Sequence, residues 1–297
     1  MELLVIGGTG QVGEEIKAVA ASHGVAAVAP TRDQLDLSSA SDIARWAAAK
    51  RWTAIINAGA YTQVDAAERE TALALEINAR APGHIAAEIV RLGLPLIHIS
   101  TDYVFDGRKG AAYVETDPVH PINAYGASKE AGERAIRAAT PQHIILRTSW
   151  LHSPFRQNFV KTMLRLAQER DQISVVADQQ GCPTAARDIA QACLDIAMRL
   201  ARAPAHGPFG TYHLAGEGGT TWYDFAKTIF AMAKDHGRRV PIVKPITTAE
   251  YPTAARRPQD SRLDCRKIFA EWNIKPRPWK AGLEDTLTRI LAAKEIA

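Results

Sequence analysis

Apolar positions in the first half of the chain fall into two alternating textures. Short, mostly apolar runs occur at Glu2–Ile6, Val25–Ala29, Thr53–Asn57, Leu94–Ser100 and Gln142–Ser149. They lack the every-other-residue alternation of a half-exposed strand, which predicts parallel strands buried on both faces. Between them the apolar positions recur at helical spacing, as at Val12, Ile16, Val19 and Ala20, in a helix that stops near Gly24. Further helices are predicted over Ser38–Lys50, over most of Asp65–Gly93 with Pro82 breaking or restarting the pattern, and from Tyr125 onward. Strands alternating with helices predict an α/β fold, with a doubly wound parallel (Rossmann) sheet over residues 1–150. From residue 151 to residue 297 the chain is richer in Pro. Short strands are predicted at Ile173–Ala177, Thr211–Ala215 and Pro241–Ile246, between helices at Asn158–Glu169, Arg187–Arg202 and Trp222–Asp235. This half reads as a smaller C-terminal α/β substrate-binding lobe, part of which returns to complete the sheet. There is no internal repeat and no low-complexity segment.

Composition narrows the class. A chain of 297 residues with 46% hydrophobic and 23% charged residues is an ordinary soluble globular composition, long enough to bury a large core. The net charge of +4 and pI near 9.0 are mildly basic. The cations are scattered, with Arg238-Arg239 and Arg256-Arg257 the densest pairs. Without a basic stripe or interleaved aromatics, no nucleic-acid partner is expected; an anionic small ligand accounts for the excess. No apolar run approaches the ~20 residues that span a bilayer, so no membrane role is expected. The start of the chain enters a strand at once, without a charged leader, so no signal peptide is expected either. Cys182, Cys193 and Cys265 are odd in number and widely spaced, which suits neither a disulfide framework nor a metal site. A cytoplasmic location follows.

Candidate chemistry clusters at the strand ends. The first strand feeds Gly7-Gly8-Thr9-Gly10-Gln11-Val12-Gly13 and then a helix. The glycines let the backbone approach a pyrophosphate, which rests on the helix N-terminus. The spacing is Gly-x-x-Gly-x-x-Gly rather than Gly-x-Gly-x-x-Gly. At the end of the second strand an acid prefers a free ribose 2′-hydroxyl and an arginine accommodates a 2′-phosphate. Arg32 therefore tilts the choice toward NADPH over NADH, although an exposed loop arginine has the same appearance. Asp36 either lies near the adenine or caps the helix that follows. Asn57-Ala58-Gly59-Ala60-Tyr61-Thr62 is small enough to let backbone lie against a cofactor, and Ser100-Thr101-Asp102-Tyr103 sets hydroxyls just past a strand end. Tyr125 and Lys129 stand four apart, on one face of a helix. A phenol titrating near ~10 is a poor acid at neutral pH, and an ammonium beside it favours the phenolate. Such a pair can give a proton to a carbonyl oxygen as hydride reaches the carbon.

The order of glycine turn, Ser-Thr after the fourth strand, then Tyr-x-x-x-Lys resembles the extended short-chain dehydrogenase/reductases. Gly10-Gln11-Val12-Gly13, His98 through Gly107, Tyr125-Gly126, Arg147-Thr148-Ser149-Trp150, Asn158 through Leu164, Asp178 through Thr184 and Ala255 through Leu263 are similar to the dTDP-4-dehydrorhamnose reductase family. The likeness runs to about residue 290. It implies that NAD(P)H reduces the C4 ketone of dTDP-4-dehydro-6-deoxy-L-mannose to dTDP-L-rhamnose, the final step in making that nucleotide sugar. It implies that Tyr125 donates the proton, that Lys129 holds the nicotinamide ribose and lowers the Tyr125 pKa, and that Thr101 hydrogen-bonds the ketone. Gln11, Val12, Asp36, Leu37, Ala60, Tyr61 and Thr62 match cofactor contacts. Val64, Asp65, Thr101, Asp102, Tyr103 and Trp150 match the substrate side, with Trp150 a wall for the deoxysugar. Arg257 either meets the nucleotide diphosphate or serves as a surface ion-pair partner.

Two departures matter. Dehydratases of the wider family carry an Asp-Glu pair after the threonine; here Thr101-Asp102 is followed by Tyr103. Ketone reduction therefore gains over elimination, with another NAD(P)-dependent nucleotide-sugar epimerase or dehydratase, or a non-catalytic regulatory subunit of the same fold, as alternatives. Family members also hold a Mg²⁺ with glutamates at a dimer interface. Glu15 matches one such position, but Asp188 and Arg289 stand at the other two, and an arginine does not ligate a cation. A homodimer of this chain would then use another contact.

Overall fold

The computed structural model describes residues 1–203 and 207–295. Among the described residues the strands are β1 (Glu2–Ile6), β2 (Ala26–Val28), β3 (Ala54–Asn57), β4 (Leu96–Thr101), β5 (His143–Thr148), β6 (Leu151–His152), β7 (Gln172–Val176), β8 (Gln180–Gly181), β9 (Thr184–Ala185), β10 (Gly210–His213), β11 (Thr220–Thr221) and β12 (Ile242–Ile246). The α-helices are α1 (Gln11–Ser22), α2 (Ala40–Ala47), α3 (Val64–Ala67), α4 (Thr71–Leu75), α5 (Ala81–Leu92), α6 (Ala124–Ala139), α7 (Phe159–Glu169), α8 (Ala186–Arg202), α9 (Trp222–Asp235), α10 (Arg266–Trp272) and α11 (Trp279–Glu295).

Six parallel strands form the main sheet in the order β10-β5-β4-β3-β1-β2. Every residue of β3, β4 and β5 is buried, because helices cover both faces. That is the physical reason for the unbroken apolar runs. One face packs Leu3, Val5, Ile56 and Ile97 against Ile16 of α1 and Ile189, Cys193 and Ile196 of α8. The other packs Leu4, Ile55 and Ile145 against Ile43 of α2, Ile85 and Ile89 of α5 and Ile136 of α6. The chain leaves β1 toward β2, then crosses back to place β3 on the opposite side. Such a reversal opens a crevice at the carboxyl ends of the strands, where open α/β sheets take ligands.

The C-terminal half contributes β10 to the edge of this sheet and α8 to its face. The rest forms a separate core of α7, α9 and α11 against the β7–β12 pair, centred on Phe225, Ile229, Trp279 and Leu283. Here β7 alternates exposed and buried positions, as a strand covered on one face does.

The segment 64–93 is largely helical, as expected, in the pieces α3, α4, a π turn over Glu76–Arg80 and then α5. Pro82 falls in the first turn of α5, where the missing N–H has no helical partner to lose. The helix expected over Ser38–Lys50 spans Ala40–Ala47 and is capped by Ser39, whose hydroxyl accepts from the Asp42 N–H at 3.1 Å; Asp36 is not its cap. Finally, α10 and α11 carry no expectation above, although Leu283, Leu287, Ile290 and Leu291 bury one face of α11 at helical spacing.

Candidate active site

The glycine turn is built by close approach. Gly7 has φ of 80°, and a Cβ there would lie 2.4 Å from the Gly59 nitrogen. A Cβ at Gly13 would lie 2.4 Å from the Gly7 carbonyl oxygen. The turn, the third-strand loop and the start of α1 are thus pressed together with no room for side chains. Gly10 precedes α1 without a side-chain cap, which leaves the first N–H groups of the helix facing the crevice.

A cavity of about 700 Å³ opens there. Of the expected cofactor residues, Gly7, Gly10, Gln11 and Val12 line its floor; Arg32, Asp36 and Leu37 line one end; Ala58, Ala60, Tyr61 and Thr62 line the wall. Thr101, Asp102, Tyr125, Lys129 and Trp150 line the rest. Gly13, Val64, Asp65, Tyr103 and Arg257 do not reach the surface of this cavity. Asp36 turns its carboxylate to the Ser38 N–H at 2.9 Å, and the backbone and hydroxyl of Ser38 hold it below the usual carboxylate range.

The Tyr125 helix is held tightly at its N-terminus. Asn123 caps α6 by accepting from the Gly126 N–H at 2.7 Å. Gly126 is there because a Cβ would meet the Tyr103 carbonyl oxygen at 2.1 Å. Asn78, inside the π turn, donates to Ser128 Oγ at 2.9 Å and accepts from the Tyr61 N–H at 2.8 Å. One buried amide therefore ties the loop expected to face the cofactor to the Tyr125 helix.

Lys129 is buried and donates from Nζ to the Ile99 carbonyl oxygen at 2.7 Å, with His98 Nε2 at 3.4 Å. His98 is held in turn by Asn57, whose Nδ2 lies 3.1 Å from its Nδ1 and whose Oδ1 accepts from the Gly59 N–H at 3.1 Å. Burial pulls the Lys129 ammonium down to about 8, against the opposing pull of Glu133. Burial tends to raise Glu133 too, but Arg147, in a bidentate pair at 2.6 and 2.9 Å, and Ser100 at 2.6 Å hold it below its ordinary value.

Tyr125 departs from the expected direction. Burial pushes its phenol up to about 12, with the charge of Asp102 adding to the rise and a hydrogen bond with Thr101 opposing it. The Lys129 ammonium is turned to Ile99 and His98 instead. Asp102 is itself pushed up to about 6 by burial, against hydrogen bonds from Ser261, Thr101 and Ser149. Thr101 Oγ1 donates to Asp102 at 3.0 Å and Ser149 Oγ donates at 3.1 Å. Two hydroxyls, a phenol, an acid that titrates near neutrality and a buried amine thus share one wall, an arrangement suited to moving a proton at a carbonyl oxygen.

The substrate side is made differently. Trp150 has a left-handed φ of 46°, lies flat on Trp222 at 3.5 Å between ring centroids, and covers Gly181, where a Cβ would touch the indole at 2.3 Å. Tyr103 stands edge-on to Tyr125 with centroids 5.9 Å apart, and burial drives its phenol pKa upward. Asp65 and Arg257 pair with each other at 2.7 Å, and Arg257 also donates to Ala255 O and Thr253 Oγ1. Of the two roles open to Arg257, the ion pair is the one formed. Ser149, Arg156 and Gln157 also line the cavity and carried no expectation. Ser149 lies within Arg147-Thr148-Ser149-Trp150, but no motif marks the loop that carries the other two.

The residues do not fit a shared divalent cation at Glu15. Its Oε1 accepts from Arg289 at 2.6 Å, and Asp188 is paired with Arg277 at 2.8 Å. Among the described residues no three His, Cys, Asp or Glu side chains gather as a metal site, and no helix is long and apolar enough to cross a membrane.

A family model described as the RmlD substrate binding domain matches residues 1–292. A dTDP-4-dehydrorhamnose reductase of Aggregatibacter actinomycetemcomitans is 42% identical over 286 residues, which is 95% of this chain and 97% of the relative. A solved dTDP-4-dehydrorhamnose reductase of Clostridium acetobutylicum superposes with a TM-score of 0.90 at 34% identity, covering 98% of this chain and 99% of that one. That of Bacillus anthracis str. Ames, in complex with NADP, gives a TM-score of 0.89 at 35% identity, covering 97% and 99%. With the glycine turn, Thr101, Tyr125 and Lys129 gathered on one cavity and the likeness running the length of the chain, the protein belongs to the dTDP-4-dehydrorhamnose reductase family.

Proposed function

We propose that the protein catalyses the NAD(P)H-dependent reduction of the C4 ketone of dTDP-4-dehydro-6-deoxy-L-mannose to dTDP-L-rhamnose, closing the synthesis of that sugar donor. The observation that carries this reading is the single cavity shared by the glycine turn and by Thr101, Tyr125 and Lys129. The dinucleotide, when bound, supplies the hydride to C4. Tyr125 gives its phenolic proton to the C4 oxygen, so one C–H bond and one O–H bond form as the carbonyl π bond is lost. Thr101 aligns that oxygen by a hydrogen bond. In this reading the Lys129 amine, on the same wall, meets the nicotinamide ribose. A Lys129 ammonium turned toward the phenol would oppose the burial that raises Tyr125 and make it a better acid.

Gln11, Val12, Leu37, Ala58, Ala60, Tyr61 and Thr62 support dinucleotide binding, and Arg32 at the mouth favours the 2′-phosphate of NADPH over NADH. Trp150 provides an apolar wall for the deoxysugar, with Val64, Asp65, Tyr103 and Arg257 lying toward the nucleotide. The three unpaired thiols suit a reducing, cytoplasmic setting. Incubation with NADPH and the 4-keto sugar nucleotide should consume reduced-nicotinamide absorbance in proportion to product. Absence of turnover with both NADPH and NADH, in a protein that binds them, would overturn the reading. Release of bound NAD⁺ with no net consumption would favour an epimerase or dehydratase.

A further inference from the structure

The loop between β6 and α7 belongs to the second half of the chain, yet it is fastened onto the glycine turn. Gln11, the first residue of α1, presents Oε1 to two donors from that loop: Ser153 Oγ at 3.1 Å and Asn158 Nδ2 at 3.0 Å. Asn158 also caps α7, accepting from the Lys161 N–H at 3.2 Å, so the fastening is anchored in a helix. Between these two points lies Arg156, with a φ of 54°. A residue with a Cβ is strained in that left-handed region, where glycine would be at ease. Strain of this kind persists only where the surroundings over-determine it, and it concentrates at ligand clamps.

Arg156 reaches back to the glycine turn and donates from Nε to the Thr9 carbonyl oxygen at 2.6 Å. It lines the cavity beside Thr9, Gly10 and Gln11. That bond uses one edge of the guanidinium and leaves both terminal amino groups for another acceptor; among the described residues they meet no carboxylate. An exposed cation is thereby fixed at the uncapped start of α1, where helix N–H groups already favour an anion.

We infer that Arg156 is a second, cationic ligand of the dinucleotide pyrophosphate, reaching it from the substrate lobe across the glycine turn. The inference rests on the proposed dinucleotide reading of that turn. It distinguishes Arg156 from Arg32: the pyrophosphate is common to NADPH and NADH, whereas the 2′-phosphate is not. A charge-assisted, oriented guanidinium contact is worth about tenfold or more in affinity. Because the pyrophosphate lies between the two lobes, its capture also couples cofactor binding to the placement of the Trp150 wall, which the same segment follows in sequence.

The test is equilibrium binding of NADPH and of NADH to the parent protein, to Arg156→Gly and to Arg32→Ala. Glycine relieves the left-handed backbone, so Arg156→Gly should melt no lower than the parent. It should lose about tenfold in affinity for both dinucleotides, with their ratio unchanged and a shallower dependence on salt, while Arg32→Ala should lose affinity for NADPH alone. Parent-like affinity for both dinucleotides in folded Arg156→Gly would overturn the inference and leave the dinucleotide reading intact. A loss confined to NADPH would assign Arg156 to the ribose phosphate and overturn it as well. A parent protein that binds neither dinucleotide would sink the reading beneath it.

Discussion

The two ends of the cavity are made of different materials. At the glycine turn the contour is set by backbone: Gly7, Gly13 and Gly59 pack so closely that side-chain atoms have no place. At the far end side chains from distant segments take over: Trp150 lines the cavity and is stacked on Trp222, and behind it, outside the cavity, Asp65 is paired with Arg257 across 192 positions of sequence. The first end is fixed by close backbone approach. The second is a set of side-chain contacts that only the fold brings together. Tyr125 and Lys129 sit where the two meet, and their protonation is governed by burial.

Removing the proposed proton donor has the largest expected effect. Tyr125→Phe should lower kcat by about 10²–10⁴ with dinucleotide affinity little changed; unimpaired turnover would move the acid role elsewhere. At the backbone end, Gly7→Ala combines a left-handed φ with a Cβ pressed onto Gly59. A cost of roughly 2–4 kcal/mol is expected, read as a lower melting temperature together with lost dinucleotide binding. If the variant binds like the parent, the turn is not the tight contour described here.

Asp102 tests the side-chain end through pH. Its folded pKa, about 6, stands above the ordinary value of 3.8. Burial of the charged form therefore costs stability above about pH 6, and that cost fades as pH falls through 6 toward 4. At pH 8 it is on the order of 2–3 kcal/mol. Asp102→Asn keeps the shape without the charge, so it should raise the melting temperature at pH 8 and have little effect near pH 4. A stabilisation that is the same at both pH values would show that ionisation is not its source. Smallest of all, Asp65→Ala frees Arg257 at a half-exposed ion pair. If the freed guanidinium meets the substrate diphosphate, KM for the nucleotide sugar should fall about threefold, within the range of such a contact. An unchanged KM would make Arg257 a structural partner only.

What could be read beforehand follows the same division. The turn was legible because strand, glycine spacing and helix are neighbours in sequence and depend on the same backbone geometry. The lining of the cavity by Tyr125, Lys129 and Thr101 was legible because each lies on a short string with a recognisable neighbour. Arg156 was not, because its reach to Thr9 spans 147 positions and its loop has no periodicity. Asp36 was open between adenine and helix cap; Ser39 took the cap because it directly precedes the first turn of α2. The π turn at Glu76–Arg80 also escaped notice, since a single turn of i→i+5 bonds has no residue spacing of its own along the chain.

By itself the sequence determined the alternation of buried strands and amphipathic helices, the glycine turn and the identity of the groups able to move a proton. Those depend on periods, spacings and residue chemistry, which are local. Only the tertiary structure decided which way the Lys129 ammonium faces, that Glu133 is neutralised by Arg147 beneath it, and that Glu15 belongs to Arg289 rather than to a cation. It also decided that burial outweighs the opposing hydrogen bonds at Tyr125 and Asp102. Desolvation and ion pairing depend on what the rest of the chain brings within a few ångströms, and no spacing along the chain carries that information.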